Sequence, residues 1–189
     1  LPAKEGPKNA IVEKALAALK KQKPAPLASK TAIQYIQAAN YDDDLALLSE
    51  CDLVIEAVAE RLDIKENLYS KVAPHLGAKT IFATNTSGLS IETLASVFSQ
   101  ELKDRFCGVH FFNPPRYMHL VELIACKETD ASVLDNLERF LVSTLGKGVV
   151  RAKDTPNFVA NRIGVFSMLA TMANAEKYGL RFDVVDDLT

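Results

Sequence analysis

The sequence predicts an α/β protein in which parallel strands are joined by helical crossovers. Two continuous apolar runs, residues 52–58 and 80–84, have the composition of strands that are buried on both faces. A helical apolar period follows the first run, a predicted helix cap follows the second, and a third apolar run begins at Phe106. Strands that alternate with helices indicate right-handed crossovers, so we expect ligands to bind beyond the carboxyl ends of the strands.

The N-terminal part of the chain precedes these strands. Residues 8–23 predict a lysine-rich amphipathic helix that ends before two prolines. Its lysines indicate a solvated face or, alternatively, attraction of a polyanionic ligand tail. Weak alternation over residues 33–39 predicts a strand. Three aspartates at residues 42–44 predict the cap of a short helix that runs to Leu48, with metal binding as the less favoured alternative.

Polar residues follow both buried strands at the points where the strands end. Glu60 follows the first strand, and Asn85 and Ser87 follow the second. A helix is predicted between the strands over residues 63–76. Ser90 then predicts the N-cap of another helix, because a serine hydroxyl accepts a bond from a free amide of the first turn.

A predicted hairpin links the apolar runs at residues 106–112 and 120–124 through a turn at residues 113–116. If these strands pair antiparallel around the turn, His110 lies opposite Glu122 on the same face. Cross-strand partners have Cβ atoms about 4.5–5.5 Å apart, so the two side chains can form a hydrogen bond. A carboxylate that holds one ring nitrogen fixes the tautomer of a histidine, as a general base requires.

The hairpin alone leaves a second interpretation open. A His–Glu pair between strands also occurs as a structural ion pair, without any role in catalysis. A register slip of one residue would moreover send the two side chains to opposite faces of the sheet.

The C-terminal third of the chain is mainly helical. An amphipathic helix is predicted over residues 131–145, followed by a strand that begins at Val149. Pro156 predicts the first turn of a long helix that runs to Tyr178. That helix is apolar over much of its surface, so it requires helical neighbours, yet only residues 182–189 follow it.

Composition excludes several function classes. Hydrophobic residues make up 48% and charged residues 24% of 189 residues, and the net charge of -2 gives no indication of nucleic-acid binding. No apolar run reaches the roughly 18 residues of a membrane span. Cys51, Cys107 and Cys126 are widely spaced, which favours buried thiols in the reducing cytoplasm and predicts no metal site.

Four stretches, in order along the chain, together carry a family resemblance. They are residues 52–60 (DLVIEAVAE), 84–89 (TNTSGL), 110–114 with 120–122 (HFFNP and LVE), and 154–162 (DTPNFVANR). Together they resemble the L-3-hydroxyacyl-CoA dehydrogenases of fatty-acid β-oxidation. The longer run HFFNPPRYMHLVEL is similar to the dehydrogenase part of large bacterial multifunctional fatty-acid oxidation proteins.

The resemblance implies a doubly wound Rossmann-type NAD-binding domain over residues 1–153 and the start of an all-helical dimerisation domain over residues 154–189. Such domains open with a strand, a GxGxxG turn, a helix and a strand, and none of the eight glycines forms that motif. The resemblance therefore implies a chain truncated at both ends, without the first strand–helix–strand. It also implies a homodimer or a part of a larger multifunctional chain.

The resemblance further implies a reaction, in which (S)-3-hydroxyacyl-CoA gives a proton to a base and a hydride to NAD. His110 matches the base and Glu122 matches its partner carboxylate. Ser87 matches a residue that reaches both the substrate oxygen and the cofactor. Asn161 matches an amide that holds the reacting carbonyl, and Asn113 lies beside the substrate on the turn after the histidine.

Five residues fall where the resemblance implies contact with the cofactor. They are Glu60, Lys65, Asn85, Ser87 and Asn113. For Lys65, a surface residue without contact to the cofactor is an equally favoured interpretation.

Three other functions fit parts of the same pattern. A non-catalytic binding or scaffold module would keep the fold and leave His110 idle. A metal-dependent hydrolase would need His119 beside His110 and Glu122, but strand alternation turns His119 away from Glu122. A serine hydrolase that uses Ser87 would lack the GxSxG elbow.

Overall fold

The computed structural model describes residues 6–188, which fold around a five-stranded sheet. The strands are β1 (Leu53–Glu56), β2 (Ile81–Thr84), β3 (Phe106–Phe111), β4 (Leu120–Ala125) and β5 (Gly148–Ala152). They lie in chain order across the sheet. β1, β2 and β3 are parallel, β4 is antiparallel to β3, and β5 is parallel to β4. The predicted α/β class is confirmed.

Helices join the strands and follow the sheet. The α-helices are α1 (Ala10–Leu19), α2 (Leu62–Val72), α3 (Ile91–Ala95), α4 (Gln100–Lys103), α5 (Ala131–Ser143), α6 (Ala160–Lys177) and α7 (Phe182–Leu188). The 3₁₀ helices are Lys30–Tyr35, Leu45–Glu50 and Ala73–His75. α1 is shorter than the predicted helix over residues 8–23. None of the helices within residues 6–188 has both the length and the apolar character needed to cross a membrane.

Each face of the sheet carries its own apolar cluster, because alternate residues of a strand point to opposite sides. Phe82 and Phe106 face one side, where they pack with Tyr69 and Phe98 at ring-centroid distances of 5.0–5.9 Å. Val109 belongs to the cluster on the other side, which includes the buried residues of α5. Helices therefore cover both faces, as in a doubly wound fold.

The strand predicted over residues 33–39 is wrong. The 3₁₀ helix Lys30–Tyr35 occupies its first half and begins after Ser29, whose Oγ accepts from the Thr31 N–H at 3.1 Å. No strand of the described residues pairs with this segment. A strand needs neighbours that satisfy its backbone groups, and weak alternation does not supply them.

The aspartates at residues 42–44 precede a helix as predicted, but they do not cap it. The helix, Leu45–Glu50, is 3₁₀ rather than α, and its N-cap Asp44 makes no side-chain cap bond. Asp44 Oδ2 instead accepts from the Asn40 N–H at 2.8 Å. Asp43 pairs with Lys8 at 2.6 Å across the surface. These carboxylates therefore tie the helix to the segments before it.

The long C-terminal helix α6 begins at Ala160, four residues after the predicted start at Pro156. Asn157 and Phe158 have φ values of 63° and 49°, which lie in the left-handed region and exclude both residues from a right-handed helix. Residues 153–159, here called the connecting segment, therefore form an irregular link between β5 and α6.

Candidate active site

The strand register brings His110 and Glu122 together. They are paired residues of β3 and β4, and Nδ1 of His110 lies 2.8 Å from Oε2 of Glu122. Both side chains are buried, with 4% and 0% of their surface exposed. The predicted cross-strand pairing is confirmed, whereas the catalytic roles stay predictions.

Glu122 also receives two bonds that the sequence analysis missed. The backbone N–H groups of Val159 and Ala160 donate to its Oε1 at 2.9 and 2.8 Å. An ionised carboxylate can only accept hydrogen bonds, so the His110 ring and the two backbone N–H groups all act as donors to Glu122. Such charge-assisted bonds are shorter and stronger than neutral ones. The start of α6 and the hairpin therefore hold Glu122 jointly.

The second ring nitrogen of His110, Nε2, stays available to a ligand. It makes no hydrogen bond to the described residues. Every fully buried side-chain N or O atom of these residues has a hydrogen-bond partner, so an atom without one must have accessible surface. Nε2 is therefore open to solvent. The rings of Phe112 and Phe158 lie 4.6 and 5.6 Å from the imidazole centroid and limit its rotation. A ring with its proton on Nδ1 presents Nε2 as a proton acceptor.

Glu60 organises the turn that follows β2. Its Oε1 accepts from the Thr86 hydroxyl at 2.5 Å and from the Ser87 and Gly88 N–H groups at 2.9 and 3.0 Å. Burial alone would raise the pKa of Glu60, but these bonds and the nearby Lys65 ammonium outweigh burial and lower it. The exposed side chain of Ser87 is thus held at the carboxyl end of β2 by a charged neighbour.

Lys65 lies beneath this turn rather than on the surface. Its side chain is 1% exposed, and Nζ is 2.8 Å from both carboxylate oxygens of Glu56. The same carboxylate accepts from the hydroxyls of Tyr69 and Thr84. Nζ is also 3.8 Å from Oε2 of Glu60. The surface alternative for Lys65 is therefore wrong, and its side chain supports Glu60 from below.

Asn85 and Asn113 line a cavity at the carboxyl ends of β1, β2 and β3. The cavity has a volume of about 390 Å³, and its other walls are Ile55, Ala57, Phe111 and Pro115. Oδ1 of Asn85 accepts from the Phe111 N–H at 2.9 Å, which links β2 to β3. The predicted cofactor residues Asn85 and Asn113 thus share one pocket.

Asn161 lies in the first turn of α6, one residue beyond the amides that contact Glu122. Its side chain is half-buried and makes no hydrogen bond to the described residues. The predicted residues therefore come from the ends of β1, β2 and β3, from β4 and from the start of α6.

The cavity fits one end of NAD and not the other. Its apolar walls and two amide side chains suit the flat ring and carboxamide of nicotinamide. A pyrophosphate normally requires a glycine-rich turn that leads from a strand into a helix. Within residues 6–188 the one G-x-G, formed by Gly146 and Gly148, leads from α5 into β5 instead. The described residues therefore include a cavity whose lining suits the nicotinamide end, and they include no glycine-rich turn of the kind that binds a pyrophosphate.

Known proteins match nearly the whole chain. The family model for the 3-hydroxyacyl-CoA dehydrogenase NAD-binding domain matches residues 4–155. A probable 3-hydroxyacyl-CoA dehydrogenase of Bacillus subtilis is 44% identical over 95% of this chain and 23% of that protein. A putative fatty acid oxidation complex trifunctional enzyme of Rickettsia felis is 42% identical over 95% of this chain and 25% of that protein.

Solved structures of the same family also resemble this chain in fold. The 3-hydroxyacyl-CoA dehydrogenase of Archaeoglobus fulgidus is 30% identical, with a TM-score of 0.73 over 92% of this chain and 56% of that one. The chain spans about a quarter of the length of the two curated relatives above. The matched range of the family model includes the His110–Glu122 hairpin, the Glu60 turn and all five strands. On this evidence the chain belongs to the 3-hydroxyacyl-CoA dehydrogenase family.

Proposed function

We propose that the protein oxidises (S)-3-hydroxyacyl-CoA to 3-oxoacyl-CoA in fatty-acid β-oxidation, with transfer of a hydride to NAD. The observation that carries this proposal is the buried His110–Glu122 pair, in which Nε2 of His110 is open to solvent. A histidine held in one tautomer by a carboxylate is suited to remove a hydroxyl proton near neutral pH.

The reaction moves a proton and a hydride in opposite directions. Nε2 of His110 accepts the proton of the C3 hydroxyl as the C–O bond gains double-bond character. NAD, when bound, would supply the acceptor for the hydride from C3. The carboxylate of Glu122 stabilises the resulting imidazolium through Nδ1, and the three donors on Glu122 keep that carboxylate in place. The imidazolium then releases its proton to solvent.

Side-chain donors around the base stabilise the substrate oxygen. The Ser87 hydroxyl and the Asn161 amide donate to this oxygen, whose charge changes during the reaction. Asn113, on the turn after His110, would contribute a further amide contact to the substrate. Because hydroxyl and amide groups do not titrate near neutral pH, these contacts persist in both directions of the reaction.

The cofactor is held by residues at the strand ends. Asn85 and Asn113, which line one cavity, would hold the nicotinamide end. Glu60 and Ser87 would bind the cofactor at the neighbouring strand end. Lys65 contributes through its charge and through its support of Glu60, because its ammonium is buried against Glu56.

The test is NADH oxidation with acetoacetyl-CoA, measured on the full chain with any residues beyond 1–189. In this reverse direction the protonated His110 returns the proton as a general acid, so we expect His110→Ala to lower kcat by about 10²- to 10⁴-fold, the contribution of one general acid–base group. His75→Ala removes a histidine from the 3₁₀ helix Ala73–His75, away from the site, and serves as the control. Circular dichroism and Tm establish that both variants are folded.

Near-normal kcat in a folded His110→Ala variant would reject the base assignment. That result would favour the binding-module alternative, in which the fold is kept without catalysis. Wild-type kcat in His75→Ala together with a large loss in His110→Ala supports the proposal.

We infer a domain division between residues 153 and 154, with α6 and α7 as part of a helical domain. Phe166 and Ile163 of α6 are 73% and 63% exposed, and such apolar surface is usually covered in an assembly. We propose that a second copy, in a homodimer, or another part of a multifunctional chain covers it. Sedimentation velocity of the full chain distinguishes these two arrangements.

We also propose a cytoplasmic location. The three cysteines are all free, which is the state that a reducing compartment maintains. Cell fractionation with antibodies against the chain tests this location.

A further inference from the structure

The connecting segment is anchored to α3 by the side chain of Asp154. Its Oδ1 accepts from the Ile91 N–H at 3.0 Å, and its Oδ2 accepts from the Ser90 hydroxyl at 2.8 Å and the Glu92 N–H at 2.9 Å. The first amides of a helix have no partner within the helix, so a carboxylate there is well accommodated. One side chain therefore fixes the start of the connecting segment to a rigid element.

The backbone of the segment then turns sharply at Asn157 and Phe158. Asparagine adopts a left-handed φ readily, but phenylalanine does not, so the surroundings must impose this conformation on Phe158. Phe158 is 2% exposed and packs against the His110 ring, and Asn157 Oδ1 lies 3.4 Å from the Cβ position of an alanine at Gly88. Asp154 holds one end of this turn and the Phe158 ring holds the other.

The turn determines where the next two amides point. Val159 and Ala160 follow it directly, and their N–H groups are the donors to Oε1 of Glu122. If the segment relaxed away from α3, these donors and the Phe158 ring would shift together. Glu122 would lose two of its three donors, and the imidazole of His110 would lose a neighbour that limits its rotation.

We propose that Asp154 is a positioning residue for the His110–Glu122 pair, a role that rests on the proposed function of that pair. It touches neither base nor carboxylate and acts through the connecting segment. Its loss slows the chemical step, because the His110–Glu122 pair and Asn161, whose contact is with the reacting oxygen, shift together. The contacts to the rest of the acyl-CoA substrate are kept, so substrate binding stays nearly unchanged.

A purely structural role for Asp154 is the competing explanation, and the chain contains a matched control. Asp130 is also an aspartate that caps a helix, since its Oδ1 accepts from the Ser132 N–H at 2.7 Å at the start of α5. Its contacts lie outside the connecting segment. Asp130→Ala therefore reproduces the loss of a helix cap without a change at Glu122.

The first measurement is steady-state kinetics of the full chain with NADH and acetoacetyl-CoA. We expect Asp154→Ala to lower kcat by about 10- to 100-fold, because misplacement of a catalytic group by about 1 Å has an effect of that order. KM stays within about twofold of wild type, and Asp130→Ala changes neither constant by more than about twofold. Asp154→Asn keeps one acceptor oxygen and falls between wild type and Asp154→Ala.

The second measurement is the ¹⁵N spectrum of the histidine rings, assigned with His110→Gln. The wild type shows His110 with its proton on Nδ1, and Asp154→Ala shows an exchange average of the two tautomers. A helix cap with no link to the site would leave this signal unchanged. The spectrum requires no turnover, so it tests the inference separately from activity.

The outcomes separate this inference from the proposed function. Equal kcat losses in Asp154→Ala and Asp130→Ala, or an unchanged His110 spectrum in Asp154→Ala, would overturn the positioning role. Active His110→Ala would reject the proposed function, whereas a tautomer change in Asp154→Ala would still support the link between Asp154 and His110. If Asp154→Ala does not fold, Asp154→Asn is decisive, since wild-type kcat and spectrum in that variant overturn the inference.

Discussion

Replacement of Glu122 by glutamine is expected to move the ring proton of His110 from Nδ1 to Nε2. The side chain is 0% exposed, so its amide takes the place of the carboxylate without rearrangement at the surface. The Val159 and Ala160 N–H groups require an oxygen, which leaves the NH₂ group to face Nδ1 of His110. An NH₂ group only donates, so Nδ1 must accept and the ring proton moves to Nε2.

The resulting tautomer cannot accept the substrate proton. The same error in a Ser-His-Asp triad lowers kcat about 10⁴-fold, and a general base contributes about 10²- to 10⁴-fold. We expect Glu122→Gln to lower kcat about 10³- to 10⁴-fold, which raises the barrier by roughly 4–5.5 kcal/mol at 1.36 kcal/mol per tenfold. Its free energy of unfolding falls less, by about 1.5–3 kcal/mol, the scale of one bond to a charged group, because the neutral amide keeps all three contacts in a weaker form.

The assay is kcat for oxidation of (S)-3-hydroxybutyryl-CoA by NAD, followed by the rise in NADH absorbance, with urea unfolding of the same samples. Glu138→Gln serves as the control, because Glu138 pairs with Arg151 at 2.6 Å on the surface. A folded Glu122→Gln variant with kcat within about threefold of wild type would refute the tautomer argument. Equal losses in both variants would show that the assay reports stability rather than chemistry.

Two further predictions concern the turn at Glu60 and the packing at Gly108. The hydrogen bonds that lower the pKa of Glu60 stabilise the fold fully above its ordinary pKa of 4.5, and this contribution is lost as pH falls through the lowered folded-state pKa. The difference in urea stability between wild type and Glu60→Gln therefore shrinks as pH falls below 4.5, and a difference that stays constant contradicts this. Gly108→Ala places a Cβ 2.9 Å from Ile91 Cδ1 and lowers the free energy of unfolding by about 1–3 kcal/mol; an unchanged Tm contradicts this.

The hairpin was predictable because its information is local. Two apolar runs and a proline-containing turn indicate where the hairpin reverses direction. Counting outward from that turn along both strands places His110 opposite Glu122, and the alternation of side chains puts both on one face. The Ser90 cap was predictable for the same reason, since a hydroxyl and the amide three residues later lie in one turn.

The missed features depend on partners far away in the chain. The donors to Oε1 of Glu122 are backbone amides, which every residue except proline carries, so the sequence marks them only as part of the run at residues 154–162. The late start of α6 reflects left-handed residues that Asp154 and the Phe158 packing impose. The strand expected over residues 33–39 did not form, because alternation says nothing about whether a neighbouring strand exists.

The contacts of Glu122 also define an order of assembly during folding. Its bond to His110 closes a loop of 12 residues, whereas its bonds to Val159 and Ala160 close loops of 37 and 38 residues. Short loops close at a smaller entropic cost, and hairpins form in about 1–10 μs. We therefore expect the base and its carboxylate to meet first within the hairpin, and the pair to reach its final geometry only after the connecting segment and α6 have docked.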